Sequence, residues 1–242
     1  DFLIEVFSTN FVLSSKNELN KESRILLLQW KDTIQFRDSF HQVSEKISKD
    51  LDVESQLGET TLETIIDDDL FRLVDFKVIH ELVNQLAEGR TNIEKVLKFI
   101  KKRENKFWNN EFQPFYSCIT YGAQFIKKAR ETSSTEYKSF DEGVKNYSEN
   151  LYEVDFIYRK FIWNYRQTKQ NRILANLVET VEKIYSNDWL LNNNNNWQKV
   201  IDNVATWPIK NSNSQRGFFK NHVAPLIEKK QRLFVIISDA LR

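Results

Sequence analysis

The residue type and position with the most chemical promise belong to Asp239. It follows Leu233-Phe234-Val235-Ile236-Ile237, a continuous apolar run of strand length that is partly β-branched. Such a run reads as a strand buried on both faces, as in a parallel sheet. Open α/β folds place ligand and catalytic groups at the carboxyl ends of their strands. The competing role for an Asp there is to cap a turn. A second constellation lies upstream. Residues 156–178 contain no acid and carry Arg159, Lys160, Arg166, Lys169 and Arg172, with Tyr158, Trp163 and Tyr165 interleaved. Cations neutralise phosphates and aromatic rings stack on bases, so this is a pattern for nucleic-acid contact. Tyr158 and Tyr165 also fall on an apolar helical seam, which makes core packing with a solvated basic face the competing expectation. Lys101-Lys102-Arg103 with Lys106 forms a shorter basic run.

Other reactive side chains promise less. His41, His80 and His222 are far apart and form no pair with zinc-ligand spacing. Asp67-Asp68-Asp69 lacks the alternating ligands and glycine of a calcium loop and is expected to be a solvated turn. Cys118 sits in an apolar helical stretch and is expected to be an inert core residue. No phosphate-binding G-x-x-x-x-G-K-[ST] loop and no G-x-S-x-G elbow occurs.

The elements that must position these groups are helical almost throughout. Asn20 to about Lys49 reads as one helix whose apolar stripe, Leu27, Trp30, Ile34, Phe36, Phe40, Val43 and Ile47, changes face midway and predicts a bend. Thr60-Thr61-Leu62-Glu63, Thr91 with Glu94, and Ser139 with Glu142 read as capping boxes. Gly89 closes the helix marked by Ile79, Leu82, Val83 and Leu86. Another helix runs from Phe112 to Ala129, with Pro114 expected in its first turn. The clearest pattern is Phe140, Val144, Tyr147, Leu151, Val154, Tyr158, Phe161, Tyr165, an almost pure 3.5-residue seam. Leu174 to Tyr185 continue in a further helix. Asn192–Asn196, five asparagines, read as a turn before a short helix over Trp197–Val204.

Composition supports this architecture. The 242 residues include only five Gly and three Pro, which disfavours sandwiches, propellers and Gly-rich nucleotide folds. Thirty-five Lys+Arg against 34 Asp+Glu give +1, so no global field draws the chain to nucleic acid or an anionic membrane. One cysteine excludes an internal disulfide framework and suits a reducing cytosol. No apolar run approaches the roughly 20 residues of a membrane helix. The fold expected is mainly α: a bundle-like helical module over residues 1–230, then one C-terminal strand over 231–242 that opens an α/β domain continuing past Arg242.

The run Phe234-Val235-Ile236-Ile237-Ser238-Asp239-Ala240-Leu241-Arg242 resembles the opening of the PglZ domain, of the alkaline phosphatase superfamily. Tyr158-Arg159-Lys160-Phe161 and Val181-Glu182-Lys183-Ile184-Tyr185-Ser186-Asn187-Asp188-Trp189 are similar to the helical region upstream of that domain. The resemblance implies a component of the BREX (bacteriophage exclusion) defence systems, and it implies a divalent-metal ligand at Asp239. The metal would be Zn, Mn or Mg in the whole protein, with none expected in this piece. It also implies that the superfamily nucleophile and remaining ligands lie downstream, so the 242 residues are expected to be inactive alone. The partners implied are the catalytic domain of the same protein and other BREX proteins, in the cytoplasm and away from membrane. Two alternatives stand beside this: a non-enzymatic assembly platform, and a helical module that contacts DNA.

Overall fold

The computed structural model describes residues 2–13, 21–90, 92–169, 171–205 and 215–236. It is mainly helical, with no strand among the described residues. Leu233–Ile236 are irregular and exposed, and Ile237–Arg242 lie outside the described residues; the expected strand straddles that border. No helix among the described residues is long and apolar enough to cross a membrane.

Helix α1 (Phe2–Asn10) packs Val6 and Phe7 against α2 (Lys21–Asp32) and α3 (Arg37–Asp50). The single helix expected over 20–49 is broken. Thr33 leaves helical geometry and a 3₁₀ turn over Ile34–Phe36 follows. The break explains the shifting stripe: Leu27 and Phe40 are buried on separate helices, while Ile34 and Phe36 in the turn are exposed. Two short helices follow, α4 (Val53–Leu57) and α5 (Leu62–Ile65). Thr61 is the N-cap of α5 but makes no side-chain capping bond, so that expected box is absent.

Helix α6 (Arg72–Ala87) buries Val74, Val78, Ile79, Leu82 and Val83 and ends at Gly89, whose φ of 66° is the left-handed conformation glycine adopts without steric cost. Helix α7 (Ile93–Arg103) is capped by Asn92, whose side chain accepts from the Glu94 N–H at 2.8 Å. That replaces the expected Thr91 box; Thr91 lies outside the described residues. Helix α8 (Asn109–Thr132) is the central strut. Pro114 is its sixth residue, a turn deeper than expected. The residue one turn back, Asn110, is exposed, so the carbonyl that loses its helical donor lies at the surface, which limits the cost.

The long seam forms a continuous rod: α9 (Phe140–Asn146), a π turn over Tyr147–Leu151, and α10 (Tyr152–Gln167). Ser139 caps it as expected, accepting from the Glu142 N–H at 3.2 Å, while Glu142 accepts from the Lys138 N–H at 3.0 Å. Helices α8 and α10 make the most extensive pairing in the chain. Only the second half of the seam is core. Leu151, Val154 and Phe161 are buried, whereas Val144 and Tyr147 are nearly half exposed. The π turn inserts a residue into the helical count and rotates the first half away from α8.

After α11 (Ala175–Lys183) a second π turn, Ile184–Leu190, leads into α12 (Leu191–Asp202). The five asparagines are therefore helical, not a turn. Asn193 accepts from the Tyr137 hydroxyl at 2.6 Å and Asn196 donates to the Thr135 carbonyl at 2.9 Å. Spaced by three, these two side chains lie on one face and tether the 133–139 loop, which offsets the low helix propensity of Asn. The last described helix is α13 (Ala224–Glu228), preceded by a π turn over Phe219–Val223.

Candidate functional site

Two features stand out, a cationic helix face and an aromatic cavity. The face is set by the periodicity of α10. Val154, Phe161 and Asn164 point inward, so the opposite side presents Tyr152, Phe156, Arg159, Lys160, Trp163 and Arg166, all exposed. Lys169 and Arg172 extend it past the helix end, where Lys169 adopts a left-handed φ of 55°. Among the described residues no carboxylate lies within ion-pair distance of these cations. The five basic residues proposed from sequence thus share one region. The aromatic assignment changes: Tyr158 and Tyr165 are turned toward the core, Trp163 is exposed, and Phe156 and Tyr152 join it. The helical period around Trp163 was the signal that could have found Phe156.

The cavity encloses about 450 Å³. One wall comes from α9 and the first π turn, through Gly143, Val144, Tyr147 and Ser148. Trp189 and Leu190 of the second π turn and Asn193, Asn194 and Trp197 of α12 form the other, with Tyr137 at the rim. Both π turns therefore border the same space, and π turns inside α-helices recur at functional sites. Gly143 is required here by close approach: a Cβ on it would sit 2.2 Å from Trp197 Cζ3. Its absence lets Trp197 settle between Tyr137 and Phe140, at ring-centroid distances of 5.9 and 5.3 Å.

Asp155 of α10 supplies the charge in this cavity. Its Oδ2 accepts from the Tyr147 hydroxyl at 2.6 Å and its Oδ1 from the Tyr185 hydroxyl at 2.8 Å. Tyr185 stacks on Tyr158 at 3.8 Å and lies near-parallel to Trp189 at 5.9 Å, so a row of rings leads to the cavity. The hydrogen bond to Asp155, then burial, pushes the Tyr147 phenol up to about 12. Burial, then the bond to Glu182, pushes Tyr158 up to about 12. Tyr185 is raised by burial and by the same Asp155. All three are neutral donors at physiological pH. None of this is legible in the sequence, where Tyr147 falls on the 3.5-residue seam and nothing marks Asp155.

The remaining sequence candidates resolve differently. Asp239 lies outside the described residues. Among the described residues no group of three His, Cys, Asp or Glu side chains could hold a metal ion. Cys118 is buried and its thiol is pushed up to about 12 by burial, as expected of an inert core residue. Asp67-Asp68-Asp69 is only in part the expected solvated turn: Asp67 is exposed in a turn, whereas Asp68 and Asp69 are half-buried and bonded to distant segments. Asp67 pairs with Lys102 at 2.9 Å; Asp68 accepts from the backbone N–H of Val12 at 3.0 Å and Leu70 at 2.9 Å. Asp69 holds Lys31 at 2.7 Å and the Phe107 N–H at 3.2 Å. The triad ties the segments around α1, α2 and α7 together. Beside it Arg103, fully buried, bonds Asp75 at 3.1 and 2.6 Å and the carbonyls of Ile66 and Asp68; the Tyr116 hydroxyl also donates to Asp75.

Comparison with curated proteins gives the family context. The chain is 27% identical over 207 residues to the alkaline phosphatase-like protein PglZ of Bacillus cereus (strain H3081.97), covering 84% of this chain and 24% of that protein. The chain is similar to this PglZ protein over most of its own length. It is also 25% identical over 230 residues to the alkaline phosphatase-like protein BrxZ of Escherichia coli O9:H4 (strain HS), covering 89% of this chain and 26% of that protein. The chain thus spans about a quarter of the length of these PglZ and BrxZ relatives. No family model matches it. No solved structure matches it.

Proposed function

We propose that this chain is the helical module of a PglZ-like, metal-dependent phosphohydrolase or phosphodiesterase of bacterial phage defence, acting in the cytoplasm. The observation that carries the reading is similarity to PglZ and BrxZ along 84–89% of the chain, covering only about a quarter of each relative. On this reading the module is scaffold and interaction surface. Asp239 is the first divalent-metal ligand (Zn, Mn or Mg) of the catalytic domain, and the module has no turnover of its own. Other BREX proteins are its partners. The test is metal-dependent hydrolysis of aryl phosphate mono- and diesters by the protein extended several hundred residues past Arg242, with Asp239→Ala as control and the 242-residue chain as blank. Turnover lost on Asp239→Ala, with a silent module, is the expected result. No turnover from the folded, metal-loaded extended protein would favour a non-enzymatic assembly platform.

A second reading rests on α10. Its exposed face sets Phe156 and Trp163 between Arg159, Lys160 and Arg166, with no carboxylate in ion-pair range of these cations among the described residues, which suits contact with DNA. Substituting Arg159, Arg166 and Lys169 by Gln together should weaken binding to a single-stranded oligonucleotide and flatten its salt dependence by about three charges. Equal binding by parent and triple variant would remove this reading.

A further inference from the structure

Neither reading uses the cavity between the two π turns, yet it has the ingredients of a specific site. Its volume of about 450 Å³ is in the ligand-binding range. Tyr137, Tyr147, Trp189 and Trp197 line it, and one carboxylate, Asp155, stands among them. The two tyrosine hydroxyls on Asp155 orient the carboxylate without neutralising it. Among the described residues no Lys, Arg or His nitrogen comes within 4 Å of its oxygens. Arg159, one turn on, directs its Nε to the Asp155 carbonyl at 3.3 Å instead.

We infer that this cavity binds a small organic cation of the methylated-ammonium class, with the aromatic rings as walls and Asp155 as counter-charge. The class is the one this lining suits best. An anion would be repelled by Asp155. A divalent metal needs several oxygen ligands, and the cavity offers one carboxylate. A wholly apolar ligand would bury a carboxylate against hydrocarbon, which is unfavourable. A bare ammonium is strongly hydrated, so it gives up more on entering an aromatic pocket than a methylated one does. A methylated ammonium presents a diffuse positive surface to ring faces, the arrangement in which cation–π attraction is strongest.

The experiment is calorimetric titration of the 242-residue chain with choline and, in parallel, with 3,3-dimethyl-1-butanol, which has the same shape without the charge. Choline should bind at least about tenfold more tightly than its neutral isostere, the size expected of a desolvated cation–π contact. Asp155→Asn should weaken choline by about tenfold and leave the isostere within about twofold. The parent comparison needs no variant, so it stands even if Asp155→Asn disturbs the fold. Equal affinity for the two probes, or no heat from choline at concentrations on the order of 50 mM with the chain folded, would overturn the proposal.

Discussion

Among the described residues an aspartate is set against tyrosine hydroxyls twice, with opposite outcomes. At Asp75 the hydroxyl is that of Tyr116, and the Arg103 guanidinium completes the set; both charges are fully buried. Burial opposes the Arg103 charge, but Asp75 more than offsets this and holds the guanidinium above its ordinary pKa. Burial and the neighbouring Asp75 also raise the Tyr116 phenol well above its usual value. At Asp155 two tyrosines donate, an open cavity lies alongside, and among the described residues no cation pairs with the carboxylate within 4 Å. The difference separates a structural carboxylate from a receptive one. Asp75 has its counter-ion in the chain, and its removal strands a buried charge. Asp155 is held in position by hydroxyls alone, with no ion pair among the described residues.

The largest test of this contrast is Asp75→Ala. It leaves Arg103 buried without a counter-ion and should cost about 3–5 kcal/mol, read from the urea unfolding midpoint. Replacing the pair together, Asp75→Leu with Arg103→Met, should recover most of that loss. A small effect of Asp75→Ala would break the comparison at its structural end. Next comes Gly143→Ala. The new Cβ must displace Trp197, for about 1–3 kcal/mol, with a change in near-UV circular dichroism as the cavity wall moves. The smallest is Asp155→Asn, which removes no ion pair and should change stability by about 1 kcal/mol or less. The same variant sharpens the contrast spectroscopically. In the parent, Tyr147 should ionise near 12, and in Asp155→Asn it should fall back toward 10, followed by phenolate absorbance. The sign is that of a raised acid. The stability Tyr147 contributes is complete below the unfolded phenol pKa of about 10 and is lost as pH rises through about 12. Unchanged titration would place Tyr147 away from Asp155.

The helical class was legible because it depends on local period and on scarce Gly and Pro. The Ser139 cap and the Gly89 stop were legible because each is a short-range bond or backbone angle. What escaped depends on long-range partners. Asp68 and Asp69 look solvated until Val12, Lys31 and Phe107 are brought to them. The asparagines of α12 look like a turn until the 133–139 loop supplies bonding groups for Asn193 and Asn196. The cavity escaped because the seam keeps its 3.5-residue count through Tyr147–Leu151 while the backbone does not keep α geometry there. A residue count cannot register that change.

That π turn has a consequence at the level of insertions and deletions. Each π turn is equivalent to one residue added to an α-helix. Closing Tyr147–Leu151 to α geometry with all its residues kept would swing α9 by about 100° relative to α10. Val144 and Tyr147, now half exposed, would be carried to a different side of the rod, and the wall they form would be dismantled without altering any other side chain. A one-residue deletion there would instead leave α9 near its present orientation, because the shorter α turn covers almost the same rotation, so the cavity wall tolerates a change of length that, by residue count, should scramble it.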